Sequence, residues 1–238
     1  MTLKWAHLIA PGVRHLAFDR KDGTQLTFIP GQFISIHFTE NDKPIKRSYS
    51  IATIPAESEH IEIALSYIAG GAASEFLFNL SPGQEVNMSG PYGRLILRDE
   101  ETPRRFILVA TGTGVTPYRS MLPQFKERFA QDLNLEIYVL LGVRTHHDQL
   151  YTKDFLALAE TQPRFHFNIY YSREYPTTPL PFEHSGYVQS AFPELNLDPH
   201  QGDLIYLCGN PHMVDNAVEL LKQKEFAIQQ IRREKYVS

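Results

Sequence analysis

A glycine-rich turn carries the first candidate chemistry in this sequence. It reads Gly112-Thr113-Gly114-Val115-Thr116-Pro117 and follows an unbroken apolar run, Phe106–Ala110. Such a run is typical of a strand buried on both faces, and the apolar spacing after the turn predicts a helix over Pro117–Phe129. A turn between a strand and a helix presents backbone N–H groups to an anion, most often a diphosphate. Alone the motif is weak, because tight connections also use glycines.

Two polar stretches in the first hundred residues could hold phosphates and rings. In Arg47-Ser48-Tyr49-Ser50 the arginine can pair with a phosphate, the tyrosine can pack on a ring and the last serine can donate to a ring heteroatom. Taken alone, this stretch is better explained as a surface arginine on an amphipathic strand. In Gly70-Gly71-Ala72-Ala73-Ser74, small residues precede a predicted helix, so Ser74 and the helix N–H groups offer a second anion site.

The third candidate site follows the predicted strand His166–Tyr171. Ser172-Arg173 comes where a doubly wound sheet faces its ligand. NAD sites commonly place an acid there for the ribose hydroxyls, whereas NADP needs donors for its extra phosphate. Serine and arginine are donors, and Arg144 is a further candidate phosphate ligand. The sequence therefore favours NADP over NAD.

The composition excludes several classes of protein. The chain has 238 residues, a net charge of −4 and 42% hydrophobic residues, which argues against a generic nucleic-acid binder. No apolar run approaches the ~20 residues of a membrane span, and the first residues lack the pattern of a signal peptide, so a soluble cytoplasmic protein is expected. The single cysteine, Cys208, excludes an internal disulfide and a resident iron–sulfur cluster. Cys208 and His212 complete no zinc pattern, and no metal is expected.

The elements that must position these residues fall into two groups. Over residues 1–100, short strands separated by turn signals predict a small antiparallel β-barrel. The predicted strands are Val13–Arg20, Gln25–Ile29, Phe33–Phe38, Arg47–Ala52, Ile61–Ile68, Glu85–Met88 and Arg94–Leu97, with one helix at Ser74–Leu80.

Over residues 101–238, strands alternate with helices, which predicts an α/β doubly wound parallel sheet. The predicted strands are Phe106–Ala110, Leu135–Leu141, His166–Tyr171 and Leu204–Leu207, and the predicted helices are Pro117–Phe129, Lys153–Glu160, Gln189–Leu195 and Pro211–Glu225. The charged segment Arg98–Arg105 is the expected linker.

These motifs occur in an order that resembles one family. RSYS at residues 47–50, GGAAS at 70–74, GPYG at 90–93, GTGVTP at 112–117 and CGNPHM at 208–213 resemble the ferredoxin/flavodoxin–NADP reductases of bacterial type, over nearly the whole chain. The resemblance implies FAD in the barrel domain and NADP(H) in the α/β domain, with their reactive rings meeting between them.

The resemblance also implies a set of site residues. Ser50 would lie near the hydride-accepting flavin nitrogen, Cys208 beside the nicotinamide, and Tyr236 over the flavin as a gate, these three forming the catalytic group. The implied FAD residues are Arg47, Ser48, Tyr49, Ser50, Ala64, Leu65, Ser66, Tyr67, Ala72, Ala73, Ser74, Thr116 and Tyr236. The implied NADP residues are Gly112, Thr113, Gly114, Val143, Arg144, Ser172, Arg173, Tyr187, Cys208, Gly209, Asn210, Pro211 and Met213. One departure is that relatives often carry another basic residue near Tyr187, where this chain has His184-Ser185-Gly186-Tyr187.

The implied function is hydride transfer between NADPH and flavin, with single electrons passed to or from ferredoxin or flavodoxin. Arg232, Arg233 and Lys235 could receive an acidic electron partner, and a monomer without membrane or nucleic-acid partners is expected. One alternative is the NAD(P)H-dependent reductase component of an oxygenase, or a free-flavin reductase. For Cys208, the commonest role of a lone cysteine is that of a small buried hydrophobic residue. The second alternative for the chain is a non-catalytic nucleotide-binding scaffold.

Overall fold

The computed structural model describes residues 1–236, and their contacts divide the chain into two compact units. The first unit contains residues 1–96 together with 116–123, and the second contains 97–115 and the described residues from 124 onward. The domain limits expected from the sequence, 1–100 and 101–238, stay a proposal.

The first unit is an antiparallel barrel. Its elements are β1 (Thr2–Ala10), β2 (Val13–Asp19), β3 (Phe33–Glu40), β4 (Lys43–Ser50), β5 (Ile61–Ser66), α1 (Ala72–Asn79) and β6 (Asn87–Tyr92). They form two three-stranded sheets, β1-β2-β5 and β4-β3-β6. Isolated bridges Thr2–Glu85 and Ile51–Ile63 join the sheets, and both sheets enclose one apolar core that includes Leu16, Ile36 and Ile63.

Two strand predictions in this unit are wrong, and one strand was not predicted. The sequence analysis missed β1, which forms a hairpin with β2 through Pro11-Gly12, Gly12 having a φ of +68°. Gln25–Ile29 forms no strand, and the Gln32 side chain accepts a hydrogen bond from the Ile29 N–H. Arg94–Leu97 contains buried apolar side chains but no strand. Apolar residues identify burial, whereas a strand also needs a partner for its backbone.

The second unit is built on a six-stranded parallel sheet. The remaining elements are β7 (Arg105–Thr111), α2 (Thr116–Ser120), α3 (Leu122–Gln131), β8 (Glu136–Val143), α4 (Thr152–Thr161), β9 (Phe165–Tyr171), β10 (Glu183–Ser185), α5 (Ala191–Glu194), β11 (Asp203–Gly209), α6 (Pro211–Gln223) and β12 (Ile231–Lys235). The strand order is β10-β9-β8-β7-β11-β12, every neighbouring pair being parallel. The predicted fold class, a β-barrel followed by a doubly wound α/β domain, is confirmed.

Local differences in this half have identifiable causes. The helix predicted over Pro117–Phe129 is split into α2 and α3, with Pro123 in the first turn of α3, where its missing N–H is tolerated. Strand β12, with the charged sequence Ile231–Lys235, pairs with β11 at the sheet edge, where alternate side chains reach solvent. The sequence did not predict β12, because its charged residues give no apolar strand pattern. Among residues 1–236, no helix is both long and apolar enough to cross a membrane.

Candidate functional site

The parallel sheet brings most of the predicted nucleotide residues to one edge. All six strands end on the same side, and the chain order reverses beside β7, which lies between β8 and β11. In open α/β sheets ligands bind beyond the carboxyl ends at such a reversal. The residues that follow these ends are Gly112–Gly114 after β7, Val143–Arg144 at the end of β8, Ser172–Arg173 after β9, Tyr187 after β10 and Cys208–Asn210 at the end of β11.

The glycine-rich turn packs directly on the end of β11. A Cβ added to Gly114 would lie 2.3 Å from the Cys208 carbonyl oxygen, and one added to Gly209 would lie 2.6 Å from the Thr111 hydroxyl. That hydroxyl also accepts a hydrogen bond from the Asn210 N–H at 2.9 Å. Gly114 and Gly209 are therefore required by packing. Of these three glycines, Gly112 leaves room for an approaching ligand, since it has a φ of +51° and no neighbour within 4 Å of its Cβ position.

The helices beside this edge differ from the sequence-based account of the anion cradle. The turn continues as a 3-10 helix over 112–115 and then as α2, which has five residues. A helix this short adds little dipole to an anion site. At α6 the Asn210 side chain accepts hydrogen bonds from the His212 and Met213 N–H groups, at 2.9 and 3.4 Å, as an N-cap with Pro211 following it. The predicted ligand role of Asn210 is thus accompanied by a structural one.

The donors proposed for a phosphate are held together by their backbones. The Ser172 N–H donates to the Val143 carbonyl at 2.9 Å, and the Arg173 and Glu174 N–H groups donate to the Arg144 carbonyl at 3.0 and 3.1 Å. The Arg144 guanidinium lies 3.7 Å from Asp148 and is 62% exposed. Within residues 1–236, the Arg173 side chain makes no hydrogen bond or ion pair, so its charge is open to a ligand.

Cys208 and Tyr236 are neighbours in the second unit. The Tyr236 N–H donates to the Gly209 carbonyl at 2.8 Å, which continues the pairing of β12 with β11. Burial raises the pKa of the Cys208 thiol well above its usual value, and Glu234 raises it further, while a hydrogen bond from Tyr236 opposes them. Because the thiol is fully buried and protonated, the geometry does not support a nucleophilic cysteine.

The basic residues of the tail are mostly paired. Arg232 forms an ion pair with Glu101, and Lys235 lies 2.6 Å from Asp215. Of the three cations predicted to receive an acidic partner, these two already have acidic neighbours, and Arg233 and Lys235 are both exposed. Residues 237 and 238 of the predicted tail lie outside the described residues.

In the barrel unit, Arg47 and Tyr49 lie on one face of β4. They pair with Ile36 and Ile34, whereas Ser48 and Ser50 point to the other face. Arg47 is exposed and donates to the Lys46 carbonyl at 3.0 Å. Burial raises the pKa of Tyr49 to about 12, against the opposing charge of Arg47. The exposed Arg47 can therefore bind an anion, while the Tyr49 ring is mostly buried.

The two serines on the other face differ in exposure. Ser48 shares a hydrogen bond of 3.1 Å with Ser35, and Ser50 is 3% exposed. On β5 the predicted residues Ala64 and Leu65 are buried, and the following Ser66 and Tyr67 are exposed.

The start of α1 forms the second predicted anion site. Gly71 is the N-cap and supplies no side-chain cap, so the N–H groups of Ala72 and Ala73 are not capped by it. Ser74 lies inside the helix, where its hydroxyl contacts the Ile68 carbonyl at 2.7 Å and the Gly71 carbonyl at 2.9 Å. Ser74 thus shapes the turn, and the backbone offers the anion donors.

Thr116, at the start of α2, belongs to the barrel unit and has an unsatisfied hydroxyl. The residue is 1% exposed, and its Oγ1 has no hydrogen-bond partner among the described residues. A buried polar atom without a partner costs free energy unless a ligand or water completes it. This orphaned hydroxyl fits the predicted flavin edge.

Sequence analysis missed the network that holds α2 on the barrel. The Arg119 guanidinium donates to the Ala52 carbonyl at 2.8 Å and to Glu62 at 2.9 Å, and His15 Nε2 lies 3.2 Å from the same carboxylate. Burial alone would raise the pKa of Glu62, but hydrogen bonds from His15, Ser58 and Arg119 outweigh it and lower the pKa to about 2. The available signal was a charged residue, Arg119, three positions after Thr116 in an otherwise uncharged helix.

Two ligand sets therefore fit the chain. An exposed arginine, an uncapped helix start and an orphaned hydroxyl suit a flavin dinucleotide in the barrel unit, and the open Arg173 suits a phosphorylated nucleotide in the second.

Within residues 1–236, no group of three or more His, Cys, Asp or Glu side chains is arranged to hold a metal ion.

Comparison with known domain families matches both halves to oxidoreductases. The oxidoreductase FAD-binding domain matches residues 1–96, and the oxidoreductase NAD-binding domain matches residues 108–219.

Among individual proteins, ferredoxin–NADP reductase B of Sorangium cellulosum is 36% identical over 219 residues, which cover 90% of this chain and 87% of that protein. The toluate 1,2-dioxygenase electron transfer component of Pseudomonas putida is 29% identical over 83% of this chain, which spans only 55% of that protein.

Solved structures show the same fold. A cytochrome P450 reductase from Amycolatopsis superimposes with a TM-score of 0.85 and 26% identity, covering 100% of this chain and 69% of that one. A ferredoxin NADP+ reductase from Neisseria gonorrhoeae, solved with FAD and NADP, gives a TM-score of 0.81 at 21% identity, covering 99% of this chain and 97% of that one.

Proposed function

The chain belongs to the ferredoxin–NADP reductase family, and from that premise we propose that it oxidises NADPH through a bound FAD and passes single electrons to a ferredoxin or flavodoxin. It is an oxidoreductase with an FAD-binding and an NAD-binding domain. When bound, FAD supplies the ability to accept a hydride and release its electrons one at a time. The observation that carries the choice of NADPH is the open guanidinium of Arg173.

The second unit supports a nucleotide with an extra phosphate. Ser172 and Arg173 follow the end of β9 at the ligand-facing edge, and their backbone N–H groups donate to the Val143 and Arg144 carbonyls. Two guanidinium groups can donate to a phosphate dianion, and the Ser172 hydroxyl, which donates to the Val143 carbonyl at 3.2 Å, would turn to join them. The ribose hydroxyls of NADH call for an acid in this position. The nearest acid in sequence, Glu174, follows Arg173, and its N–H is directed to the Arg144 carbonyl.

The barrel unit supports the flavin nucleotide. Arg47 and the N–H groups at the start of α1 would bind the pyrophosphate, and Tyr49 would pack against the ring system. The Thr116 hydroxyl would gain its missing partner at a polar flavin edge. The bonds from Arg119 to Glu62 and Ala52 hold Thr116 in place for that contact.

The experiment is an absorption spectrum of the purified protein under argon, recorded before and after NADPH and separately with NADH. The proposal predicts flavin bands that NADPH bleaches quickly and NADH slowly. Equal bleaching rates with both nucleotides would contradict the phosphate preference. A protein that stays colourless after reconstitution with FAD would contradict the flavin chemistry altogether.

The electron acceptor has a second candidate. The similarity to an oxygenase electron transfer component favours reduction of an oxygenase partner, or of free flavin, by the same hydride step. Rates with flavodoxin, ferredoxin and added FMN, measured with one preparation, separate these functions. Fast reduction of flavodoxin or ferredoxin supports the first proposal, and turnover of added FMN alone supports the second.

A further inference from the structure

A buried polar network centred on Glu183 lies behind the segment that carries Ser172 and Arg173. Glu183 begins β10 and is 9% exposed. Its Oε1 accepts hydrogen bonds from the Tyr171 hydroxyl and from the Gln149 amide at 3.3 Å, and its Oε2 accepts one from the Leu180 N–H at 2.8 Å. Gln149 also donates to the Tyr171 oxygen.

The network joins the segments around the phosphate donors. Tyr171 directly precedes Ser172, and Leu180 lies near the end of the 172–182 loop. Gln149 follows the turn that begins at Arg144, and its Oε1 accepts a bond from Thr152 at 3.1 Å. The loop is held again at its middle, where the Tyr175 hydroxyl donates to the Glu183 carbonyl at 3.1 Å.

This arrangement matters because the loop has little else to hold it. Residues 172–182 form no helix or strand, and only Ser172, Pro176 and Phe182 of them are partly buried. A buried carboxylate that loses one donor is strongly destabilised. The hydrogen bonds to Glu183 are therefore expected to form together or to be lost together. Guanidinium groups bind a phosphate well only when supporting bonds hold their backbone in place.

We propose that Glu183, Tyr171 and Gln149 are positioning residues that fix the Ser172–Arg173 segment against Arg144 for the 2′-phosphate of NADPH. The inference rests on the proposed function, since it assigns the support of the same site. The three side chains act through the loop and leave the nucleotide to Ser172, Arg173 and Arg144. Their loss should therefore weaken recognition of the 2′-phosphate and spare the rest of the nucleotide.

The test compares Tyr171→Phe and Glu183→Gln with the parent protein. Calorimetric titration with adenosine 2′,5′-bisphosphate and with AMP measures recognition of the 2′-phosphate directly, without turnover. We expect the Kd of the bisphosphate to rise about tenfold in each variant, with the Kd of AMP changed less than about twofold. In steady state, KM should rise for NADPH but not for NADH, with kcat unchanged. Tyr138→Phe, which removes a hydroxyl at the amino end of β8, is the matched control and should change neither ligand.

The outcomes separate this inference from the proposed function. A parent protein that binds both ligands equally well contradicts the NADPH preference itself. A parent that discriminates, with a Tyr171→Phe variant that discriminates equally well, overturns only the positioning role. Equal weakening of both ligands in Tyr171→Phe and Glu183→Gln would also overturn it, because a merely structural role predicts that result.

Discussion

The two edges of the parallel sheet use the same residue types in opposite ways. At the amino edge, Arg105 donates to both oxygens of the fully buried Asp203, at 2.9 and 2.6 Å, and the Asp198 N–H donates to the same carboxylate at 2.9 Å. At the carboxyl edge, Arg173 has no side-chain partner within residues 1–236. A charge that is paired inside the fold stabilises it, whereas a charge left open is available to a ligand.

Other arginines extend the contrast. Arg164, at the amino edge, donates to the carbonyls of Phe129, Asp132 and Leu135 at 3.0, 2.7 and 3.2 Å, and so closes the chain between α3 and β8. At the carboxyl edge, the Arg144 side chain meets one acid among residues 1–236, Asp148, at 3.7 Å and mostly in solvent. Such an exposed pair contributes little and is easily exchanged for a phosphate.

The largest effect is expected from removing the buried ion pair at the amino edge. In Asp203→Asn the buried Arg105 loses its carboxylate, and the free energy of unfolding should fall by about 3–5 kcal/mol. Urea unfolding measures it. The control Arg104→Gln removes the more exposed partner of Asp203 and should cost under about 1 kcal/mol. A small loss in Asp203→Asn would show that this edge is less dependent on charge than the geometry indicates.

The next largest effect is expected from removing the open arginine at the carboxyl edge. Arg173→Ala should lower kcat/KM for NADPH by tens- to hundreds-fold, about 2–3 kcal/mol for a charge-assisted phosphate contact. The value for NADH should change little, and the unfolding curve should stay unchanged. Equal losses with both nucleotides would remove Arg173 from the phosphate site.

A smaller effect is expected from acid. Burial alone would raise the pKa of Asp203, but hydrogen bonds from Arg105, the Asp198 N–H and Arg104 outweigh it and lower the pKa. A lowered pKa means stability that is present above the unfolded value, about 3.9, and is lost as pH falls through the folded value. The free energy of unfolding should therefore fall more steeply below pH 4 in the parent protein than in Asp203→Asn. Parallel pH profiles would contradict this.

The smallest effect concerns the buried thiol. Because burial raises the pKa of Cys208, iodoacetamide at pH 8 should leave it unmodified in the native protein and modify it in urea. Mass spectrometry gives the extent of modification. Rapid native modification would show that the end of β11 opens in solution.

Patterns that repeat along the chain made much of this structure predictable. The apolar run Phe106–Ala110 and its successors predicted the parallel sheet, and the parallel sheet then placed the Gly112 turn and Arg173 at one edge. The strand β12 and the Glu183 network were not predictable in this way. The first is a charged edge strand, and the second depends on Gln149 and Tyr171 meeting across 22 positions of sequence.

Some of the predicted site residues also have structural contacts that the sequence did not indicate. Gly114, a predicted nucleotide residue, packs so closely on the Cys208 carbonyl that a side chain would not fit there. Ser74, a predicted anion-site residue, has a hydroxyl that contacts the Ile68 and Gly71 carbonyls. A residue type determines which bonds are possible, and the fold determines which partners lie within reach.

The most direct test of the account is to map where a phosphorylated nucleotide binds. Adenosine 2′,5′-bisphosphate would be titrated into 15N-labelled protein and the amide shifts followed by NMR. We expect the largest shifts at the carboxyl edge, at Gly112, Ser172 and Arg173, with the amide signals of Arg105 and Asp203 unmoved. Shifts that centre on the amino edge, or that spread without a centre, would contradict the assignment of the nucleotide site.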